Sequence, residues 1–145
     1  MVRMWTHEIF RVFGDRLTSD DDRLWLLNHV RELVRKIFGF NFDNIFADLD
    51  ANKDGKVDTT DEIRGLLFGY LLAPIGATPH YEPMTDMTAL EANCHASLDH
   101  YNSEADKPMD LVLFEFALEH LSRISRIINL PNGNALLVGV GGSGR

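Results

Sequence analysis

Along WTHEIFRVFGDRL, residues 5–17, apolar side chains recur every three or four positions at Trp5, Ile9, Val12, Phe13 and Leu17, with charged residues between them. That period puts one apolar stripe on an α-helix. A second helix is predicted over 23–38, RLWLLNHVRELVRKIF, with Leu24, Leu27, Val30, Leu33, Val34 and Ile37 toward a core and Gly39 as its stop. Before it, Ser19 or Asp20 can cap the helix, and the acidic run Asp20, Asp21, Asp22 sits where the helix dipole is positive. Consecutive carboxylates at a helix start point in different directions, so capping is favoured over a metal site there.

Residues 42–49, FDNIFADL, carry Phe42, Ile45, Phe46 and Leu49 on one face, and the stretch from Asp61 to Leu72 continues the pattern with Ile63, Leu66, Leu67 and Tyr70. The period fails from Leu72 to Met87, where Pro74, Pro79 and Pro83 punctuate a loop that is long for a compact domain. A helix over 86–101, capped by Asp86 or Thr88, would place Leu90, Cys94, Leu98 and Tyr101 on one side. The strongest helical pattern is 109–128, MDLVLFEFALEHLSRISRII, with Leu113, Phe116, Ala117, Leu121, Ile124, Ile127 and Ile128 as its apolar positions. After LPNG, Ala135 to Val138 form a short apolar run that reads as a buried strand. The fold class predicted is mainly α, with the start of an α/β unit at the C-terminal end.

Composition narrows the function. At 145 residues the chain can bury one sizeable core. Its net charge is −8, and its basic residues are scattered among helical patterns, which disfavours nucleic acid as a partner. The lone cysteine, Cys94, allows no internal disulfide and points to a reducing, intracellular setting. No apolar run approaches the ~20 residues of a membrane span, and MVRMWTHEIF lacks a signal-peptide core, so a soluble chain with no membrane partner is expected. His7 and His29 have no partner at ligand spacing and read as packed or surface residues. A nucleophile built from Cys94 with His95 or His100 is disfavoured, because sequence adjacency on a helix makes no dyad and nothing nearby would lower the thiol pKa.

Two stretches carry chemistry. DANKDGKVDTTD, Asp50 to Asp61, falls on the twelve-residue calcium loop of an EF-hand. Asp50, Asn52 and Asp54 occupy the first three ligand positions, and Gly55 the sharp bend. Lys56 offers its carbonyl and Asp58 binds directly or through water. Asp61 stands last, where the longer Glu is usual, which should weaken calcium or tilt the loop toward magnesium. The competing reading is an acidic turn capped by Thr59 and Glu62 with no ion. The second stretch is NALLVGVGGSGR, Asn134 to Arg145. Gly139 and Gly144 have the spacing of the first six positions of a phosphate-binding P-loop, and Arg145 stands where Lys is expected. Gly139, Gly141, Gly142, Ser143, Gly144 and Arg145 are the candidate nucleotide-binding residues, and the absence of a Ser or Thr for Mg²⁺ means the sequence as it stands should not hydrolyse ATP.

HEIFRVFGDRL (His7 to Leu17), KPMDLVLFEFALEHLSRISRII (Lys107 to Ile128) and PNGNALLVGVGGSGR (Pro131 to Arg145) together closely resemble the heavy chain of axonemal dynein, in particular its inner-arm members. The resemblance implies that residues 1–105 form the helical lid of the third AAA+ module, with the EF-hand-like loop at 50–61 inside it. Residues 106–145 would then be the lead helix, first strand and partial P-loop of the fourth. Arg145 agrees with axonemal members, in which GVGGSGR precedes a Gln-Ser pair. The implied parent is an ATP-driven, minus-end-directed microtubule motor of the cilium or flagellum. It uses ATP and ADP, and its partners are neighbouring AAA+ modules, microtubules, and dynein light and intermediate chains. The alternative is a stand-alone calcium-responsive module.

Overall fold

The computed structural model describes residues 1–139. Six helices and one short hairpin follow in order: α1 Val2–Val12, α2 Asp20–Leu33, α3 Phe42–Ile45, α4 Thr60–Arg64, β1 Phe68–Gly69, β2 Glu82–Pro83, α5 Met87–Glu104 and α6 Glu115–Ile128. Ser19 occupies the N-cap of α2 without a side-chain bond, and the helix runs into a π-turn, Val34–Phe38, before Gly39 closes it at φ +71°. Only a residue tolerant of the left-handed region fits that closing position.

The predicted stripes are partly rotated. On α1 it is Thr6, His7 and Phe10 that are buried, while Val12 and Phe13 face solvent. On α2, Leu26, Leu27 and Val30 are inside and Leu24 is exposed. The π-turn widens the last turn and carries Ile37 outward. The main core gathers Phe10, Leu26, Leu27, Val30 and Val34 with Phe42, Phe46, Val57, Ile63, Leu66 and Phe68.

The segment after α4 does not continue as the predicted helix. It turns into β1, which pairs antiparallel with β2 in the register Phe68 with Pro83 and Gly69 with Glu82. The proline-rich loop thus returns to the fold instead of making a free excursion. Successive side chains here alternate in direction: Leu66 and Phe68 enter the main core, and Leu67 enters a second one with Met84, Leu90, Cys94 and Leu118. Gly69 lets the Met84 side chain approach closely: a Cβ there would lie 2.8 Å from the Met84 methyl group, which would have to shift.

Asp86 caps α5 as predicted, accepting from the Ala89 N–H at 3.0 Å. Leu90 and Cys94 are buried on α5, and Tyr101 is exposed.

The C-terminal part departs most from expectation. α6 begins at Glu115, and residues 109–114 are irregular. Its buried residues are Leu118, Glu119, Ser122 and Ser125, whereas Phe116, Leu121 and Ile128 are exposed. The predicted strand at 135–138 is not formed: Leu136, Leu137 and Val138 are exposed and irregular, since no other strand among the described residues lies beside them to take their backbone hydrogen bonds.

Candidate functional site

The acidic loop folds as a turn that satisfies its own backbone. Asp50 Oδ2 accepts from the Gly55 N–H at 2.8 Å, Asn52 Oδ1 from Asp54 N–H at 2.9 Å, and Asp54 Oδ1 from Lys56 N–H at 2.8 Å. Lys53 and Gly55 hold positive φ, 60° and 84°, which supplies the sharp reversal. Asp43 of α3 closes the loop by accepting from the Val57 N–H at 3.0 Å, and Arg31 of α2 bonds the same Asp43 carboxylate.

Downstream, Thr59 and Glu62 form a reciprocal capping box on α4. Glu62 Oε2 accepts from the N–H groups of Asp58 and Thr59, both at 3.1 Å, and from the Thr59 hydroxyl at 2.9 Å. Burial pushes the Glu62 carboxyl upward, but the hydrogen bonds from Thr59 and Asp58 outweigh it and leave the group below the usual carboxylate range.

Of the six predicted cation ligands, Asp50, Asn52 and Asp54 share the turn, and Asp61 lies in the first turn of α4 beyond Lys56 and Asp58. Among the described residues no three His, Cys, Asp or Glu side chains gather closely enough to hold a metal. The flanking helices are also short, α3 having 4 residues and α4 having 5. The helix-loop-helix setting expected from the pattern is therefore reduced to two single turns. One atom stands apart: Asp50 Oδ1 is buried and has no hydrogen-bond partner among the described residues.

Of the predicted phosphate-loop residues, Gly139 is exposed in irregular backbone. Gly141, Gly142, Ser143, Gly144 and Arg145 lie outside the described residues.

The most developed polar arrangement, which the hydrophobic pattern does not disclose, is a seam along the buried face of α6. Arg126 binds both carboxylate oxygens of Glu8 on α1, with Nε at 3.1 Å from each. Tyr81, just before β2, donates to the same Glu8 and lies 3.2 Å from His7 Nδ1. Two turns earlier on α6, Glu119 accepts from Arg64 Nε at 2.9 Å and lies 2.8 Å from Arg64 Nη2. Arg123 approaches Asp15 at 3.8 Å, and Asp15 also meets Arg11 at 3.3 Å.

These contacts set the protonation states. Burial, reinforced by Arg11, lowers His7 to about 4, so the ring is neutral near pH 7. Burial would raise Glu8, yet the hydrogen bonds from Arg126 and Tyr81 overcome it and bring the carboxyl to about 2. Tyr81 is pushed upward by burial and by its bond to ionised Glu8.

The signal for the seam lay in Glu8, Arg11, Asp15, Glu119, Arg123 and Arg126. They are charged residues at three- and four-residue steps on α6 and on α1 with the turn that follows it, but spacing within each segment does not reveal which one it meets. Cys94 forms no catalytic pair: burial pushes its thiol up, and His95 points to solvent beside Glu91.

Residues 109–145 match the family model described as the P-loop containing dynein motor region D4. The C-terminal part is thus similar to a P-loop containing motor region. Almost the whole chain also aligns with axonemal dynein heavy chains. It is 41% identical to dynein axonemal heavy chain 3 of Mus musculus over 99% of this chain, and 40% identical to mouse heavy chain 12 over 100%. Against dynein axonemal heavy chain 2 of Homo sapiens the identity is 39% over 100% of this chain. The chain belongs to the axonemal dynein heavy chains, and it spans 4%, 5% and 3% of those three relatives.

Proposed function

We propose that this chain is the junction between two consecutive AAA+ modules of an axonemal dynein heavy chain, residues 1–105 serving as the helical lid of the third and 106–145 as the entry to the fourth. The observation that carries the reading is the identity of about 40% across nearly the full length, with the D4 match confined to 109–145. The seam supports it. α6 docks on α1 and α4 through charged side chains and leaves Leu121 and Ile128 on its opposite side, the face on which a following sheet would pack.

In the parent, ATP or ADP would bind at the loop that includes Gly139, Gly141, Gly142, Ser143, Gly144 and Arg145. The motor would act on microtubules in the axoneme of a cilium or flagellum, with light and intermediate chains as further partners. The lid would pass nucleotide state between modules as a rigid body. Sequencing the transcript beyond the Arg145 codon tests this reading. A Gln-Ser pair followed by an apolar helix is the expected result, and a stop codon directly after Arg145 in an abundant message overturns the motor reading for this product.

A second reading, a calcium- or magnesium-responsive loop at Asp50 to Asp61, is favoured by one observation, the buried and unpartnered Asp50 Oδ1. That atom is the natural starting point for a cation ligand set with Asn52, Asp54, the Lys56 carbonyl, Asp58 and Asp61. Calorimetric titration with each ion is expected to give saturable binding that disappears in Asp50→Ala. No heat with either ion removes the reading.

A further inference from the structure

Between β1 and β2 the chain makes an arch that is pinned at both feet. On the outgoing side Asn93 of α5 donates through Nδ2 to the carbonyls of Leu71 and Ala73, at 2.6 and 3.0 Å. On the returning side Tyr81 donates to Glu8, and its ring centre lies 6.0 Å from that of Phe68 and 5.1 Å from that of Tyr70. Between those anchors every residue from Pro74 to His80 is exposed. A turn in which the Ala77 N–H donates to the Pro74 carbonyl at 3.0 Å, with Gly76 at φ +82°, ends just before Thr78. Thr78 to His80 then run without regular structure, and among the described residues the Thr78 hydroxyl has no hydrogen-bond partner.

Thr78 is followed by Pro79, and of all the serines and threonines in the chain it alone precedes a proline. Proline has no N–H, and it biases the residue before it toward extended backbone. An enzyme that grips its acceptor residue in extended form, and offers no acceptor to the N–H of the next residue, leaves that donor buried and unmet in every substrate except one with proline there. Exposure, irregular backbone and an unengaged hydroxyl coincide with that dipeptide only at Thr78. By contrast, the hydroxyls of Thr59 and Ser122 already donate, to Glu62 and to the Leu118 carbonyl.

We propose that Thr78 is a phosphorylation site for a proline-directed Ser/Thr kinase. The γ-phosphoryl group of ATP passes to Thr78 Oγ1: a P–O bond forms there, the bond from that phosphorus to the β,γ-bridging oxygen breaks, ADP leaves, and the hydroxyl proton goes to the catalytic aspartate of the kinase. The product carries an added charge of about −1.5 to −2 on the outside of the arch. No Lys or Arg occurs between Arg64 and Lys107, so the arch has no basic side chain of its own to draw the phosphate inward, and the fold beneath it stays as it is.

The test incubates the folded 145-residue chain with magnesium ATP and a mitogen-activated protein kinase, and maps the product by mass spectrometry. Gain of a single phosphoryl group, located on Thr78, is the expected result. Thr78→Ala should abolish it and Thr78→Ser should retain it. Pro79→Ala, which leaves the hydroxyl in place, should slow the initial rate by about tenfold or more. The phosphorylated chain should unfold at the same urea midpoint as the unmodified one. No transfer to the folded chain, by a kinase that phosphorylates a standard Ser-Pro peptide, overturns the proposal. So does transfer to another serine or threonine in preference to Thr78, an undiminished rate in Pro79→Ala, or a lowered unfolding midpoint, which would show that Thr78 is engaged by the fold.

Discussion

The seam on α6 and the acidic turn at 50–61 use the same kinds of side chain for opposite purposes. Glu8 and Arg126 meet across 118 positions of sequence, and Arg64 and Glu119 across 55. In the turn, Asn52 and Asp54 each bond a backbone N–H two residues on, and Glu62 bonds within four. A carboxylate that finds a backbone donor locally shapes only its own turn. One that finds a buried guanidinium fixes how two distant helices sit. The seam therefore bears on tertiary structure, and the turn on local order.

Acid should break the seam first and most strongly. The His7 side chain is 3% exposed, and its pKa falls from 6.5 to about 4 on folding. A base with a lowered folded pKa is neutral in the fold and takes up a proton on unfolding, so stability is lost as pH falls from about 6.5 toward 4. The loss expected from this group is about 3 kcal/mol, measurable by urea unfolding at stepped pH. His7→Gln should flatten that slope. A slope that persists unchanged in the variant would remove His7 as its source. Glu8, with its folded pKa lowered to about 2, has the opposite sign: its contribution is fully present above about 4.5 and is lost only as pH drops toward 2.

Substitution should rank the contacts in the same order. Arg126→Ala strands a part-buried Glu8 and should cost about 2 kcal/mol, and a double-mutant cycle with Glu8→Gln should show coupling near 1 kcal/mol. Additive single effects would show that the pair does not clasp α6. Glu62→Ala removes half of the capping box and should cost about 1 kcal/mol in thermal unfolding. Asp54→Ala, in an exposed turn, should cost less than about 0.5 kcal/mol without added ion. A loss from Asp54→Ala as large as that from Arg126→Ala would erase the contrast between the two regions.

Helix existence was legible for α1, α2, α5 and α6, because each has a sustained period or a cap such as Asp86. Thr59 and Glu62 were legible as a cap for the same reason: three residues of sequence contain the whole interaction. The rotation of the stripes was not. A 3.6-residue period tolerates a shift of one position, and it is Leu118, Ser122 and Ser125 that lie inward on α6, held there by Arg126 and Glu119. The β1–β2 pairing escaped because two-residue strands carry no period of their own.

By itself the sequence determined the helical class, the sharp bend at Gly55 and the family resemblance, since each rests on spacing within a short window or on residue identity along the chain. Only the tertiary structure decided which face of α6 is buried, that Glu8 is the partner of Arg126, and that Arg11 and Arg123 share a single aspartate. Those outcomes depend on desolvation and charge pairing between segments far apart in the chain, and such pairings become defined only when the helices pack.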